Sequence, residues 1–168
     1  MKTKPLRQRN KPKTKLLLLD VDGVMTDGGV YYSNSGDELK KFNIHDGLGI
    51  VKLQRSGVKV GIITGKVSRI VERRAADLGI EEVHQNLEDK LEVYEQIKQR
   101  LGLRDEEIAY IGDDEPDLAV LRKVGLSACP ADAVASVKKS VGHVLKQNGG
   151  FGAVREVVEM ILKKNGRG

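Results

Sequence analysis

Leu16-Leu17-Leu18-Leu19-Asp20-Val21-Asp22-Gly23-Val24-Met25-Thr26-Asp27-Gly28 is the stretch that decides the fold. Its uninterrupted apolar run predicts a strand buried on both faces, as inside a parallel sheet. Open α/β sheets gather their chemistry at the carboxyl ends of such strands. This one ends in Asp20 and Asp22, followed at once by Gly23. Two carboxylates so close repel each other unless a cation neutralises them, so the pair calls for a divalent metal. Read alone, Asp20 and Asp22 serve equally well to cap a turn. Later segments decide between the two readings.

Outward from this run, β-prone residues 30–33 and 38–42 flank Asn34-Ser35-Gly36-Asp37 and predict a hairpin projecting from the sheet. A helix then opens at Asp46-Gly47, with Asp46 as its N-cap, and runs to about Arg55. Residues 58–64 predict a second apolar strand, and 68–78 a basic helix closed by Gly79. A short strand over 80–84 and an amphipathic helix over 87–101 follow. Residues 108–112 form the next predicted strand, and Asp113-Asp114-Glu115-Pro116-Asp117 leads into a helix to Lys123, with Pro116 suited to a first helical turn. Two further strands, 124–129 and 141–145, precede a last helix over 153–163. Strands alternating with helices predict a doubly wound, Rossmann-like parallel sheet in an α/β protein. The hairpin is the one insertion, and it is too small to form a cap domain over the strand ends.

At 168 residues the chain suits a single domain with a substantial core, read here as residues 16–168. Nineteen glycines and no tryptophan fit tight strand–helix turns better than a β-sandwich. No stretch approaches the roughly 20 apolar residues that span a bilayer, and no apolar segment follows the basic N-terminus as in a secretory signal. Cys129 stands alone, which excludes an internal disulfide framework and fits a reducing cytoplasm. Seven basic groups and no acid lie in residues 1–15; taking them from the net charge of +5 leaves −2 for the remainder. That segment reads as a disordered, solvated tail. No aromatic residue interleaves its charges, so nucleic acid is not an expected partner. His45, His84 and His143 show no ligand spacing, and zinc is not expected.

Polar groups thus close four predicted strands or their loops: Asp20 and Asp22, Thr64, Lys90, and Asp113 with Asp114 and Asp117. Alone, Thr64 is an ordinary strand-end threonine, Lys90 a solvated helix lysine, and Asp117 a helix N-terminal acid. Together, D-x-D-G-x-x-T-D, a strand-end Thr, a Lys and G-D-D-x-x-D resemble the haloacid dehalogenase superfamily of phosphotransferases across almost the whole chain from Leu16. The chemistry is sensible on its own terms: a carboxylate nucleophile splits a very slow phosphate-ester hydrolysis into two steps through an aspartyl-phosphate. The resemblance implies Asp20 as nucleophile and Asp22 as the acid that protonates the leaving alcohol and then activates water. It implies Thr64 and Lys90 on the phosphoryl oxygens, and Mg²⁺ held by Asp20, the Asp22 backbone carbonyl and Asp113. Asp114 and Asp117 would orient metal-bound waters.

A closer resemblance is to the uncapped subgroup of that superfamily acting on sugar-acid phosphates. It lies in residues 20–28, the hairpin, Asp46-Gly-Leu-Gly-Ile50, Ile62-Ile-Thr-Gly65, Val71-Glu-Arg-Arg-Ala75 and Asn148-Gly-Gly-Phe-Gly-Ala-Val-Arg-Glu156. It implies 3-deoxy-D-manno-octulosonate 8-phosphate as the small anionic substrate, in lipopolysaccharide precursor synthesis. The 9-phosphates of nine-carbon acids (deaminoneuraminate, sialate) remain an alternative, as does a catalytically idle oligomerisation module. The subgroup also implies a homotetramer assembled through the hairpin near 29–42, which would shield an uncapped cleft from water. Substrate contacts would come from Asp22, Thr64, Gly65, Lys66 and Lys90. Lys66 stands where the subgroup usually has arginine, and an ammonium does not reproduce the bidentate guanidinium fork. Arg69, Arg73 and Arg74 are further cationic candidates.

Overall fold

The structure, a computed structural model, describes residues 12–166. In chain order its elements are β1 (Leu16–Leu19), β2 (Tyr31–Tyr32), β3 (Glu38–Leu39), α1 (Ile44–Arg55), β4 (Lys59–Ile63), α2 (Arg69–Asp77), β5 (Glu82–His84) and α3 (Lys90–Leu101). There follow β6 (Ile108–Ile111), α4 (Leu118–Leu121), β7 (Leu126–Cys129), α5 (Ala135–Lys138), β8 (His143–Val144) and α6 (Ala153–Lys164). Short 3-10 turns at Asp105–Glu107 and Glu115–Asp117 flank β6.

Six strands form one parallel sheet in the order β5-β4-β1-β6-β7-β8. From β1 the chain winds outward through β4 to β5, then crosses back and winds the other way through β6, β7 and β8. The reversal falls between β1 and β6, whose pairing sets Leu19 beside Ile111. A cleft opens at the carboxyl ends of strands at such a switch point. Successive residues of a strand face opposite sides of a sheet, and the apolar runs here feed two cores. Leu17, Leu19, Ile62 and Ile111 pack with α1, α2 and α6, whereas Leu16, Leu18, Ile63 and Tyr110 pack with α3, α4 and α5. That double burial is why the strands read as unbroken hydrophobic runs rather than as alternating ones.

The predicted α/β class and hairpin are present, and among the described residues nothing larger than the hairpin is inserted. Several boundaries differ. The first helix starts earlier than expected because Asn43, not Asp46, caps it: the Asn43 Oδ1 accepts the N–H groups of His45 (2.7 Å) and Asp46 (3.4 Å). Asp46 is buried and serves another helix, its Oδ1 accepting the N–H of Arg155 (2.7 Å) in the first turn of α6. The third helix starts at Lys90 rather than 87, behind an Asp89 cap. The four-residue α5 was not anticipated; one buried residue, Val137, is too little for a periodic signal.

The disordered tail expected over 1–15 does not extend to Thr14 and Lys15, both of which are tied to the fold. Thr14 is buried, its N–H donating to Asn165 Oδ1 (2.9 Å) while Asn165 Nδ2 donates to the Thr14 carbonyl (2.8 Å). Lys15 pairs with Glu107 at 2.8 Å. Thr14 and Asn165, near the two limits of the described residues, are thereby tied, and residues 1–11 lie outside the described residues. Cys129 is buried, and that burial pushes its thiol up to about 11.

Truncating the central strand tests the two-sided core. Leu18 is fully buried, and Leu18→Ala is expected to lower the unfolding free energy by about 2–5 kcal/mol, read as a lower urea midpoint.

Candidate active site

Asp20 follows the last residue of β1, its backbone N–H donating to the Ile111 carbonyl (3.1 Å), so the sheet itself fixes the side chain's origin. The side chain is buried at the switch point and meets an ammonium: Lys90 Nζ donates to Asp20 Oδ1 at 2.8 Å and to Asp117 Oδ1 at 2.7 Å. Lys90 is the first residue of α3 and is itself buried. A cation at a helix N-terminus opposes the helix dipole, and burial opposes its charge as well. The Asp20 and Asp117 carboxylates overcome both and hold the Lys90 ammonium above its ordinary pKa.

Asp117 is the hub. Its Oδ1 also accepts from the Tyr110 hydroxyl (2.6 Å), and its Oδ2 accepts from the backbone N–H groups of Asp113 (2.9 Å) and Asp114 (3.2 Å). With four donors on two oxygens, Asp117 is equipped to hold its neighbours in place rather than to reach a ligand. Asp114 is exposed, and its Oδ1 accepts from the Glu115 N–H (2.7 Å). Tyr110 was missed in the sequence because a tyrosine in an apolar strand reads as core; its place just before Gly112-Asp113-Asp114 was the only available hint.

Carboxylate oxygens of Asp20, Asp113 and Asp117 lie within 4.8 Å of one another. Burial first, then the charges of Asp20 and Asp117, push Asp113 up to about 8. Burial and the Asp117 charge push Asp20 up to about 6 against the opposing pull of Lys90. Such crowding is what a divalent cation relieves. Gly23 extends the fit: its φ of +83° suits glycine, and a Cβ there would sit 2.1 Å from Asp113 Oδ2, filling the cradle around that carboxylate. With Asp117 fully occupied, Asp20 and Asp113 are the side chains suited to Mg²⁺, a hard ion that binds few carboxylates and keeps waters.

The remaining predicted residues surround a cleft of about 420 Å³ lined by Asp20, Asp22, Thr64, Gly65, Lys66, Lys90, Asp113, Asp114 and Asp117, together with Gly23, Leu87 and Pro116. Thr64 is buried at the end of β4, its N–H donating to the His84 carbonyl (2.9 Å). Lys66 is exposed at the rim. Asp22 stands outside the carboxylate cluster and accepts at Oδ1 from Lys40 Nζ of the hairpin, at 2.5 Å. Arg74 is not in the cleft; it donates to the Asn43 carbonyl (3.3 Å) beside the Phe42 ring. Another opening of about 470 Å³ lies near Leu16 and Lys59, at the amino ends of β1 and β4. Its Glu82 is already held by Arg100 at 2.6 and 2.5 Å, and the cavity lacks the clustered carboxylates.

A buried, lysine-paired carboxylate beside a second carboxylate, with a threonine across an open cleft, is equipped for metal-assisted phosphoryl transfer. Residues 48–125 match the haloacid dehalogenase-like hydrolase family model. The 3-deoxy-D-manno-octulosonate 8-phosphate phosphatase KdsC of Escherichia coli K12 is 43% identical over 153 residues, covering 91% of this chain and 81% of that protein. The crystal structure of 3-deoxy-D-manno-octulosonate 8-phosphate phosphatase from Yersinia pestis superposes with a TM-score of 0.90 at 44% identity, covering 92% of this chain and 83% of that one. The Moraxella catarrhalis enzyme of the same name, solved with a magnesium ion, a phosphate ion and a KDO molecule, gives 0.89 at 40% identity, covering 91% and 88%. The chain belongs to the haloacid dehalogenase-like hydrolases and, within them, to the 3-deoxy-D-manno-octulosonate 8-phosphate phosphatase family. It is a phosphoric monoester hydrolase, and its cofactor is Mg²⁺.

The carboxylate crowding has a consequence for stability. Asp113 has a folded pKa of about 8 against an ordinary 3.8, so between those values the metal-free native state binds more protons than the unfolded chain. Stability contributed by the protonated form is present in acid and is lost as pH rises toward about 8. Thermal midpoints in EDTA are expected to fall across that window, and Mg²⁺ at a hundredfold excess over its Kd is expected to raise them again by adding about 2.7 kcal/mol of unfolding free energy. Asp113→Asn should flatten both the pH dependence and the response to Mg²⁺.

Proposed function

We propose that this enzyme hydrolyses 3-deoxy-D-manno-octulosonate 8-phosphate to the free sugar acid and inorganic phosphate, in the cytoplasm, as a step toward lipopolysaccharide precursors. The observation that carries the reading is the kinship with KdsC over 91% of the chain, supported by a cleft lined by Asp20, Asp22, Thr64, Lys90 and Asp113. Residues 16–168 would act as one phosphatase domain.

In this reading Asp20 attacks phosphorus and the sugar's C8 oxygen leaves. An aspartyl-phosphate forms on Asp20. Asp22 gives its proton to the departing oxygen, then takes one from the water that cleaves the aspartyl-phosphate, so one group serves both half-reactions. Thr64 and the Gly65 backbone face the phosphoryl oxygens. Lys90, already between Asp20 and Asp117, supplies positive charge beside the nucleophile as negative charge spreads over the phosphoryl group. Mg²⁺, held by Asp20, Asp113 and the Asp22 carbonyl, would neutralise the phosphate and so allow an anionic nucleophile to approach it. Asp114 would orient its waters, while Asp117 keeps Lys90 and the Asp113–Asp114 loop in place. Lys66, at the rim, would meet the carboxylate end of the substrate.

The assembly belongs to the same proposal. Val30, Tyr32 and Leu39 of the hairpin are all exposed, and a two-stranded antiparallel ribbon with exposed apolar side chains and free edges favours pairing with its own copies. A homotetramer built on residues 29–42 would bury these side chains and screen the cleft from bulk water. Among the described residues no helix is long and apolar enough to cross a membrane.

Phosphate release from the eight-carbon ester, nine-carbon sugar-acid 9-phosphates and aryl phosphates, with Mg²⁺ or EDTA, tests the reading. The eight-carbon ester is expected to be preferred, and Asp20→Asn to reduce turnover about a thousandfold or more. Preference for a nine-carbon ester would keep the mechanism and replace the substrate. Absence of release from every ester by folded, Mg²⁺-loaded protein would indicate an idle module.

A further inference from the structure

Lys40 has no part in the chemistry above, yet it is the least solvated lysine of the hairpin. Its side chain is 6% exposed, whereas that of its neighbour Lys41 is 50% exposed. Lys40 Nζ donates to Asp22 Oδ1 at 2.5 Å and lies 3.6 Å from Glu38. An exposed ion pair contributes little, but an ammonium taken out of water stays charged only if its partner is held against it. The hairpin is also fastened to the loop that carries Asp22. Tyr31 donates to Asp27 Oδ2 at 2.8 Å, Lys41 lies 3.5 Å from the same carboxylate and 3.8 Å from the Phe151 ring centre, and Thr26 bridges to Phe42. Lys40 therefore reaches Asp22 from an anchored ribbon.

We propose that Lys40 is a positioning residue for Asp22. Its ammonium occupies Oδ1 and fixes the plane of the carboxylate, leaving Oδ2 to carry the proton to and from the leaving oxygen and the attacking water. The inference rests on the assignment of Asp22 as the acid and base. It also gives the hairpin a role in the chemistry, because any movement of the ribbon moves the group that sets the orientation of Asp22. Nothing in the sequence signals it: Glu38-Leu39-Lys40-Lys41 reads as an ordinary charged strand.

Dependence on the leaving group separates positioning from general damage. An alkyl ester needs its departing oxygen protonated, whereas a nitrophenyl ester leaves readily without help, so loss of a well-placed acid falls mainly on the alkyl ester. Lys40→Met, close in shape and without charge, is expected to lower kcat for 3-deoxy-D-manno-octulosonate 8-phosphate and to raise the aryl-to-alkyl ratio of kcat by about tenfold or more. Lys40→Arg is expected to recover much of that ratio. Asp22→Asn, measured alongside, is expected to raise the ratio further. Equal losses on both esters in Lys40→Met, or a rise in KM with kcat unchanged, would overturn the inference. An unchanged ratio in Asp22→Asn would overturn the assignment of Asp22 itself, and the inference with it. Should Lys40→Met melt early, Lys40→Gln, which keeps a donor at shorter reach, gives the same comparison and is read in the same way.

Discussion

Crowded negative charge at one end of a sheet is the constraint on which this protein depends. Asp20, Asp113 and Asp117 place carboxylate oxygens within 4.8 Å of one another, in a region where burial penalises every charge. Lys90 supplies one compensating cation, and three carboxylates against one ammonium leave an excess of two negative charges, which one divalent ion matches. The neighbouring chain is arranged to make the crowding tolerable. Tyr110 and two backbone N–H groups are spent on Asp117, and Gly23 leaves room for Asp113. Carboxylates held in this way have little freedom to reorganise, which is the state in which electrostatic stabilisation of a phosphoryl transition state is most effective.

The fold brings these groups together by its winding order. Asp20 and Asp113 are far apart in sequence, but β1 and β6 are neighbours on either side of the reversal, so both side chains emerge into one cleft. The loop after β1 is then braced by the far end of the chain. A Cβ on Gly149 would lie 1.9 Å from the Gly23 carbonyl oxygen, so that strand-end loop can be approached so closely only by a glycine. The Gly150 N–H donates to the Val24 carbonyl (3.0 Å), and Asn43 Nδ2 donates to the Gly150 carbonyl (3.3 Å). The segment Asn148-Gly-Gly-Phe-Gly is thus a clamp on the loop that follows β1. Asp46, carried on α1 and capping α6, secures the helix that follows it.

An uncapped cleft leaves the reacting groups close to solvent, and the hairpin is the element of this chain placed to answer that. It is small, with two residues per strand, yet it is pinned to the loop through Asp22 and Asp27 while presenting apolar side chains outward. The ribbon thus touches the loop of the site while leaving apolar side chains exposed.

Much of this was legible in the sequence. The run from Leu16 to Leu19 announced a doubly buried strand because both faces are covered by helices, and the acidic loops announced themselves because carboxylates beside glycines at strand ends are costly without a partner. Lys90, Thr64 and Asp113 were found by their order along the chain. What sequence could not reveal were contacts made across it by residues whose local pattern has another ordinary meaning. Tyr110 looks like core, Lys40 like a solvated strand lysine, Asp46 like the cap of its own helix, and Thr14 like part of a basic tail. Local spacing determined the elements and the reaction class, because strand burial and carboxylate placement are short-range features. The tertiary structure alone decided which donor satisfies which carboxylate, because hydrogen-bond partners are chosen by distance in space.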